Sequence, residues 1–286
     1  MPRSGFIGGW RKVAFGALLA VALTPVSSSA QTLSQNSPQL VDLKLLLAVD
    51  VSGSIDFWEA DLQRDGYVKA LKDDTVINTI LSGQTGRIAL GYVEWAGGDH
   101  QRVLLDWTLI DSRAAAHAAA DSIRERPHMA GRRTSIGNML TYATNWFRDT
   151  RFLSERQVID ISGDGPNNTG VKVDKARDLA IASGITINAL PILNERPSPY
   201  GFPKLVDLDV YYEECVIGGD GAFIIVAKGI RSFAAAVRRK MILEIAGLVP
   251  ERLVQAIPVQ MGGGTKPYEC DIGEQQLHEF LNRGMD

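Results

Sequence analysis

Apolar runs that stop at polar turns predict the strands of this chain. Residues 45–49 are apolar and are followed at once by Asp50, Ser52, Gly53 and Ser54. A run that ends in this way is typical of a strand buried on both faces of a parallel sheet. We therefore predict a buried first strand whose carboxyl end carries the side chains of Asp50, Ser52 and Ser54.

Further apolar runs predict five more strands, over Arg87–Trp95, Gln101–Thr108, Gln157–Ile161, Ile185–Leu190 and Ala222–Ala227. A short Gly-Gly-Asp-His turn separates the first two of these five. That turn is too short for a crossover helix, so the two strands are predicted to pair as an antiparallel hairpin.

Apolar residues at helical spacing predict helices between the strands. Asp56 followed by Glu59 has the spacing of a capping box and predicts the start of a helix through Leu71. Other helices are predicted over Ser112–Arg124, from the 131–137 loop through Phe147, over Val173–Ser183 and over Ser232–Ala246. The alternation of strands and helices predicts an α/β fold: a doubly wound, mainly parallel sheet with one antiparallel edge strand and helices on both faces.

The two ends of the chain differ from this pattern. Residues 1–30 combine Arg3, Arg11 and Lys12 with a short apolar run and a small-residue cleavage site, which predicts a secretory signal peptide. Residues 31–41 are polar and predict a flexible mature N-terminus. We expect one domain over 42–247 and a C-terminal extension, without a clear period, over 248–286. No later segment is apolar and long enough to predict a transmembrane helix.

Charge and cysteine content narrow the functional classes. Removal of residues 1–30 takes away three positive charges and changes the formal net charge from −3 to −6. This balance gives no electrostatic reason to expect binding to nucleic acid. The two cysteines, Cys215 and Cys270, predict a disulfide bond in an exported protein, with two free buried thiols as the alternative.

Polar side chains at three predicted turns favour a metal site. Asp50, Ser52 and Ser54 offer one carboxylate and two hydroxyls, hard oxygen ligands that suit Mg²⁺ or Mn²⁺. Thr134 lies where a loop enters a helix, and Asp164 follows another strand. Loops at the carboxyl edge of a doubly wound sheet meet, so these five side chains are predicted to converge. Asp and Ser are also common turn and helix-cap residues, which is the competing interpretation.

The order of these residues resembles a known family. An Asp-x-Ser-x-Ser motif, a later Thr within a Gly-x-x-Thr-x-x-Gly loop and an Asp-Gly after a strand are similar to the metal-ion-dependent adhesion site of von Willebrand factor A-type domains. The segments YYEECVIGGDGAFIIVAKG, RRKMILEIAG and YECDIGE resemble, more narrowly, an exported bacterial family known as domain of unknown function 1194.

The resemblance implies a role for each residue of the motif. Ser52, Ser54 and Thr134 would touch Mg²⁺ or Mn²⁺ through their hydroxyls, whereas Asp50 and Asp164 would hold it directly or through water. An Asp or Glu of an unidentified partner protein would complete the metal shell. Arg132 and Arg133 depart from the small residues usual at their positions; they would favour an anionic ligand, unless they are only solvated loop charges.

These expectations describe a metal-dependent, protein-binding module of the bacterial envelope, most simply in the periplasm. Two alternatives stay open: a hydrolase that uses the metal to activate water, and a scaffold whose metal is structural. The hydrolase is disfavoured, because two carboxylates committed to a metal leave no evident general base.

Overall fold

The computed structural model describes residues 37–193, 201–250 and 268–283. The predicted signal peptide and residues 31–36 lie outside the described residues, as do residues 251–267 of the predicted extension. The strands are β1 (Gln39–Leu40), β2 (Leu43–Asp50), β3 (Ile88–Trp95), β4 (Gln101–Ile110), β5 (Phe152–Leu153), β6 (Gln157–Gly163), β7 (Thr186–Leu193) and β8 (Ala227–Lys228). The α-helices are α1 (Phe57–Leu71), α2 (Asp74–Leu81), α3 (Arg113–Arg124), α4 (Ile136–Trp146), α5 (Val173–Ala182), α6 (Leu208–Tyr211), α7 (Phe233–Ala246) and α8 (Ile272–Arg283).

Six strands form one sheet in the order β4-β3-β2-β6-β7-β8. β4 pairs with β3 in the antiparallel direction, and the other pairs in this sheet are parallel. The first predicted strand, β2, lies inside the sheet, and all eight of its residues are buried. The sheet confirms the predicted class, including the antiparallel strand at one edge. β1 and β5 form a separate parallel pair, so Gln39 and Leu40 belong to a strand.

Alternate residues of β2 face two different helical layers. Leu43, Leu45 and Leu47 belong to a core shared with α1, α2, α3 and α7. Leu46 and Ala48 belong to a second core shared with α4, α5 and the segment 208–216, which is α6 followed by a π-helical turn over Tyr212–Val216. A strand buried on both faces explains why the sequence of β2 is a continuous apolar run rather than an alternating one.

The predicted helix boundaries follow from side-chain and backbone caps. Asp56 accepts a hydrogen bond from the Glu59 backbone N–H at 2.8 Å, and Glu59 accepts one from the Asp56 N–H at 3.2 Å. This pair is the predicted capping box of α1. Gly247 ends α7 with φ +68°, a left-handed conformation that glycine adopts without a steric penalty.

Several elements differ from the sequence prediction. The strand predicted over Ala222–Ala227 is wrong in extent, since only Ala227–Lys228 is a regular strand. The Phe223 N–H donates to the side-chain Oδ1 of Asn188 at 3.0 Å. It is therefore not available for a backbone hydrogen bond to a neighbouring strand. Helices α2 and α8 were not predicted, because α2 has only eight residues and α8 carries few apolar ones.

The predicted disulfide bond is present and connects the C-terminal extension to the domain. Cys215 and Cys270 are bonded, with their Cα atoms 5.4 Å apart. Cys215 belongs to the π-helical turn after α6, and Cys270 lies two residues before α8. Within the described ranges, no helix has the length and apolarity needed to span a bilayer.

Candidate metal site

Two adjacent parallel strands bring the first two parts of the site together. β2 and β6 are paired in register, with Val49 opposite Ser162. Their carboxyl ends therefore lie side by side, so Asp50, the last residue of β2, and Asp164, the first residue after β6, lie on the same edge of the sheet. The third part is Thr134, immediately before α4, on a loop whose Gly131 N–H donates to the Val51 carbonyl at 2.9 Å. The topology thus brings all three predicted segments to one place.

The hydroxyls of the predicted site lie within hydrogen-bonding distance of one another. The Oγ atoms of Ser52 and Ser54 are 3.2 Å apart, and the Thr134 hydroxyl donates to Ser52 Oγ at 3.3 Å. The Ser54 hydroxyl donates to Asp164 Oδ1 at 2.5 Å. Octahedral Mg²⁺ with ligands at about 2.1 Å requires neighbouring oxygens about 3 Å apart. The spacing of these oxygens is therefore compatible with a small divalent cation.

Both carboxylates contain an oxygen that lacks a protein partner. Asp50 is 0% exposed, and its Oδ1 accepts the Ser52 N–H at 2.7 Å. Asp50 Oδ2 and Asp164 Oδ2 are buried without a hydrogen-bond partner among the described residues. A buried, unpartnered carboxylate oxygen costs free energy unless a cation or water neutralises it. The site consequently contains two buried carboxylates, each with one oxygen that has no hydrogen-bond partner among the described residues.

The pKa shifts of Asp50 and Asp164 agree with this geometry. Burial, followed by repulsion from the Asp164 carboxylate, raises the pKa of Asp50 well above its usual value. Burial also raises the pKa of Asp164, opposed by the hydrogen bond from Ser54 and by the charge of Lys204. A divalent cation would reverse the effect, because it stabilises both ionised carboxylates at once.

The candidate metal site contains few carboxylates. Within the part of the chain that the structure describes, no three His, Cys, Asp or Glu side chains form a group that could hold a metal ion. The candidate site instead combines two carboxylates with three hydroxyls. Such a set provides only oxygen ligands, which fits Mg²⁺ or Mn²⁺ better than a soft metal that prefers sulfur.

The loop that carries Thr134 is held in an unusual conformation. Arg133 has φ +66°, the single non-glycine residue with positive φ among those described. This conformation costs roughly 1–2 kcal/mol for a residue with a Cβ. The Thr134 N–H donates to Asn168 Oδ1 at 2.9 Å, and the Asn168 N–H donates to the Thr134 carbonyl at 2.9 Å. These reciprocal bonds offset the strain and fix Thr134 beside β6.

Several residues that shape the site were missed by the sequence interpretation. Asn167 and Asn168 were not identified by the sequence analysis, yet Asn167 Oδ1 accepts the Gly137 N–H of α4 at 2.9 Å. Gly163 has room for no side chain, since a Cβ there would lie 2.6 Å from Tyr212 Oη and 2.9 Å from Asp50 Oδ2. In the sequence, only the Asn-Asn pair that begins three residues after Asp164 could have indicated these roles.

A pocket of about 360 Å³ opens above the candidate site. Its floor includes Ser52, Ser54, Thr134 and Asp164, and Arg132 and Arg133 contribute to its lining. Its remaining walls come from residues 202–205 and from α8. These walls could not be predicted from the sequence, because both segments are distant from the motif along the chain.

Comparisons with known proteins extend these observations. A profile of the family described as a protein of unknown function (DUF1194) matches residues 40–249. A comparison by sequence with curated proteins found no match. Among solved structures, proximal thread matrix protein 1 of the mussel byssus is similar, with a TM-score of 0.54 and 13% identity over 73% of this chain and 48% of that chain. A second structure of that protein, with a TM-score of 0.54 and 14% identity, is described as having a zinc-occupied MIDAS motif (metal-ion-dependent adhesion site) and covers 73% of this chain and 49% of that one.

The pilus adhesin SpaC of Lactobacillus rhamnosus GG is also similar, with a TM-score of 0.51 and 14% identity over 75% of this chain and 31% of that chain. The chain thus spans about half of the mussel protein and a third of the adhesin. At these identities the likeness concerns the fold.

Proposed function

We propose that this chain, which belongs to the family of proteins of unknown function DUF1194, is a divalent-metal-dependent module that binds another protein. Its fold is that of a von Willebrand factor A-type domain, and both the fold and the family agree with the resemblance in the sequence. One structural neighbour has a divalent metal, zinc, in its adhesion motif. That neighbour makes a metal plausible for this chain as well, whereas the use of Mg²⁺ or Mn²⁺ and the binding of a partner are our proposals.

The proposal depends above all on the two orphaned carboxylate oxygens. Asp50 Oδ2 and Asp164 Oδ2 are buried and unpartnered, and three hydroxyls surround them. A purely structural turn would be expected to satisfy its buried acceptors with backbone N–H groups. A cation held by Asp50, Asp164, Ser52, Ser54 and Thr134 would explain both the arrangement and its position on an accessible edge.

The composition of the set favours an additional ligand from outside. Three of the five side chains are neutral hydroxyls, so a bound Mg²⁺ or Mn²⁺ would keep much of its positive charge if the aspartates act largely through water. Such a cation attracts a carboxylate more strongly than a water molecule, especially in a partly buried site of low dielectric. We therefore propose that a partner protein presents an Asp or Glu to the metal.

We further propose that the protein is exported and acts in the periplasm. The support is the predicted signal peptide together with the Cys215–Cys270 bond, since disulfides persist in oxidising compartments. The structural neighbours include a byssus matrix protein and a pilus adhesin, both named for roles outside the cytoplasm.

The hydrolase alternative finds little support in the pocket. Activation of a metal-bound water requires a carboxylate or histidine that is not itself a metal ligand. Among the described residues that line the pocket, Asp164 is the only carboxylate, and none is a histidine. Glu59 raises the pKa of Asp164 by its charge, but its own carboxylate caps α1. These observations favour binding over catalysis.

Calorimetric titration of the chelator-treated mature protein with MgCl₂ and MnCl₂ tests the metal site. We expect one binding site in the wild type and none in Asp50→Ala. The control is Asp111→Ala, which removes an exposed carboxylate just before α3 and should bind metal normally. Unchanged binding in Asp50→Ala would overturn the assignment.

A further inference from the structure

The loop between β6 and α5 is held in place by side chains from other parts of the chain. Its first residue is Asp164, directly after β6. The Tyr212 hydroxyl donates to the Gly165 carbonyl at 3.3 Å, and the Asn167 N–H donates to Tyr211 Oη at 3.1 Å. Because the loop contains no helix or strand, the position of the Asp164 carboxylate depends on such contacts.

Asn167 and Asn168 join this loop to the segment that carries Thr134. Asn167 is 0% exposed, and its Oδ1 accepts the Gly137 N–H in the first turn of α4 at 2.9 Å. Asn168 exchanges two hydrogen bonds with the backbone of Thr134. The two asparagines therefore hold two of the three parts of the candidate metal site, those of Asp164 and Thr134, against each other.

Glu274 of α8 determines which way the side-chain amide of Asn167 faces. Asn167 Nδ2 donates to Glu274 Oε1 at 2.8 Å, whereas its contacts with the Thr169 and Val171 carbonyls are longer, at 3.4 and 3.3 Å. A hydrogen bond to a carboxylate is about twice as strong as one between neutral groups. Since Glu274 holds Nδ2, the Oδ1 atom at the other end of the amide stays directed to the Gly137 N–H.

The position of Glu274 is fixed by the residues that precede it. The disulfide bond with Cys215 holds Cys270 two residues before α8. Gly273 packs so closely that a Cβ there would lie 2.1 Å from the Asn167 carbonyl oxygen. The backbone next to Glu274 is thus held against the loop before its side chain makes any hydrogen bond. A side chain on an anchored backbone loses less conformational entropy when it forms such a contact.

We propose that Glu274 is a positioning residue for the metal site and acts through Asn167 on Asp164 and Thr134. The inference rests on the proposed function, because it concerns the affinity of the site for a divalent cation. Removal of a partner that orients a metal ligand typically weakens metal binding by about 10–100-fold. Glu274 acts on the ligands through an intervening residue, so we expect an effect near the lower value. The C-terminal extension would then support the metal site.

Calorimetric titration of chelator-treated mature protein with MnCl₂ tests this inference. We expect Glu274→Ala to bind Mn²⁺ about tenfold more weakly than the wild type. Glu274→Gln keeps an acceptor oxygen for Asn167 Nδ2 and should retain most of the affinity. The control is Glu279→Ala, which removes the same charge from the same helix and should bind Mn²⁺ as the wild type does. Glu279 is exposed and pairs with Arg283 at 3.3 Å.

Two further measurements test whether the effect passes through Asn167. In an Asn167→Ala background, Glu274→Ala should not weaken Mn²⁺ binding further, because the residue it acts through is already lost. The second measurement is amide hydrogen exchange in the metal-free proteins, which does not require Asn167→Ala to fold. The Gly137 amide, which donates to Asn167 Oδ1, should exchange faster in Glu274→Ala than in the wild type and in Glu279→Ala.

The results separate this inference from the proposed function. Normal Mn²⁺ affinity in Glu274→Ala, with a wild type that binds Mn²⁺, would overturn the inference and leave the proposed function intact. Equal losses in Glu274→Ala and Glu279→Ala would also overturn it, because the effect would then come from the charge of the helix. Equal affinities of Glu274→Gln and Glu274→Ala would contradict the role of the hydrogen bond.

The route through Asn167 has its own contrary outcomes. An undiminished effect of Glu274→Ala in the Asn167→Ala background would overturn this route, as would unchanged exchange of the Gly137 amide. Absence of metal-binding heat in the wild type would overturn the proposed function and this inference together.

Discussion

Ser54 Oγ lies 2.5 Å from Asp164 Oδ1, although the two residues are 110 positions apart in the sequence. The contact exists because β2 and β6 are neighbours in a parallel sheet and both lead into loops at the same edge. It joins a hydroxyl and a carboxylate that would otherwise belong to separate turns. The chemistry of the site is thus a consequence of strand order, and the predictions below depend on that arrangement.

Replacement of Asp50 by Asn should separate the effect of the site on folding stability from its ability to bind a metal ion. Asn keeps the shape of the side chain and removes a buried charge beside Asp164. Without metal, we expect Asp50→Asn to be more stable than the wild type, since an unpaired buried charge is costly. With metal at 100 times its dissociation constant, the wild type should gain about 2.7 kcal/mol and the variant almost nothing. Thermal unfolding with Mg²⁺ and with EDTA measures both effects, and equal metal-dependent shifts in the two proteins would contradict the prediction.

The parts of the site that lie near regular elements could be predicted from the sequence. Asp50, Ser52 and Ser54 follow a continuous apolar run, and Asp164 follows another, so the rule that parallel strands end at one edge places them together. Thr134 required the resemblance to a known motif as well. The position of each of these side chains is determined by a strand or a helix boundary that a local pattern reveals.

The wall of the pocket that α8 forms could not be predicted in the same way. Leu277, Phe280 and Leu281 occupy helical spacing, but three apolar residues in a Gln- and Glu-rich segment give a weak signal. Their position depends on the Asn167–Glu274 hydrogen bond, which spans 107 positions, and on the Cys215–Cys270 bond. The strand around Phe223 was overestimated for a related reason, because the side chain of Asn188 takes a backbone N–H that a propensity argument assigns to the ladder.

Removal of the disulfide bond should release α8 and destabilise the protein. Cys215 and Cys270 are 55 positions apart, and closure of a loop of that length contributes about 4 kcal/mol in the chain-entropy model. We expect the double variant Cys215→Ala/Cys270→Ala to lose up to this amount in urea unfolding. Limited proteolysis should cut it before α8 sooner than the wild type. Unchanged stability and unchanged cleavage would show that Asn167 and Gly273 hold the helix without the bond.

A buried ionic cluster between β6 and α7 should make the stability depend on pH. Lys240 lies between Asp160 and Glu244, and all three side chains are fully buried. Burial, and then the charge of Asp160, raises the pKa of Glu244 from 4.5 to about 8. Between these values an unfolded chain has lost the proton that the folded protein keeps. The contribution of Glu244 to the free energy of unfolding is therefore complete below about pH 4.5 and lost as the pH rises through about 8.

Glu244→Gln should flatten this dependence, because glutamine has no proton to lose and keeps a similar shape. Each unit of pKa difference corresponds to about 1.4 kcal/mol. We expect the stability of the variant relative to the wild type to increase from about pH 5 to about pH 8, as measured by urea unfolding. Glu125→Gln changes an exposed glutamate after α3 and is the control, which should follow the wild type. Parallel curves for Glu244→Gln and the wild type would contradict the assignment.

The buried ion pair Arg64–Glu94 should stabilise the folded protein. Arg64 of α1 donates through Nε to Glu94 Oε1 of β3 at 3.0 Å, and both side chains are almost completely buried. Arg64→Met leaves the Glu94 charge without its main partner, a change that costs about 3–5 kcal/mol in buried pairs. Arg102, 3.8 Å from Glu94, should keep the loss near the lower value. Unfolding of Arg64→Met and of Arg64→Met/Glu94→Leu checks this, since the double variant should recover part of the loss.

Thr134→Ala should weaken metal and partner binding while the fold stays intact. The backbone of Thr134 is held by Asn168, and its hydroxyl donates to Ser52 Oγ at 3.3 Å, so the substitution removes one candidate ligand and a single methyl group. The loop should also keep its shape, because the strained residue is Arg133. Thr144→Ala is the matched control: Thr144 is 4% exposed against 5% for Thr134, and its hydroxyl bonds to the Leu140 carbonyl inside α4.

Circular dichroism, Mn²⁺ titration and capture of partners from envelope extract, each with and without EDTA, should be measured on both variants side by side. We expect normal spectra for both, and reduced Mn²⁺ affinity and capture for Thr134→Ala alone. EDTA should abolish capture by the wild type and by Thr144→Ala, because we propose that the metal bridges this site and a carboxylate of the partner. Full capture by Thr134→Ala in the presence of EDTA would rule out a metal-bridged contact and leave the five oxygens with a structural role.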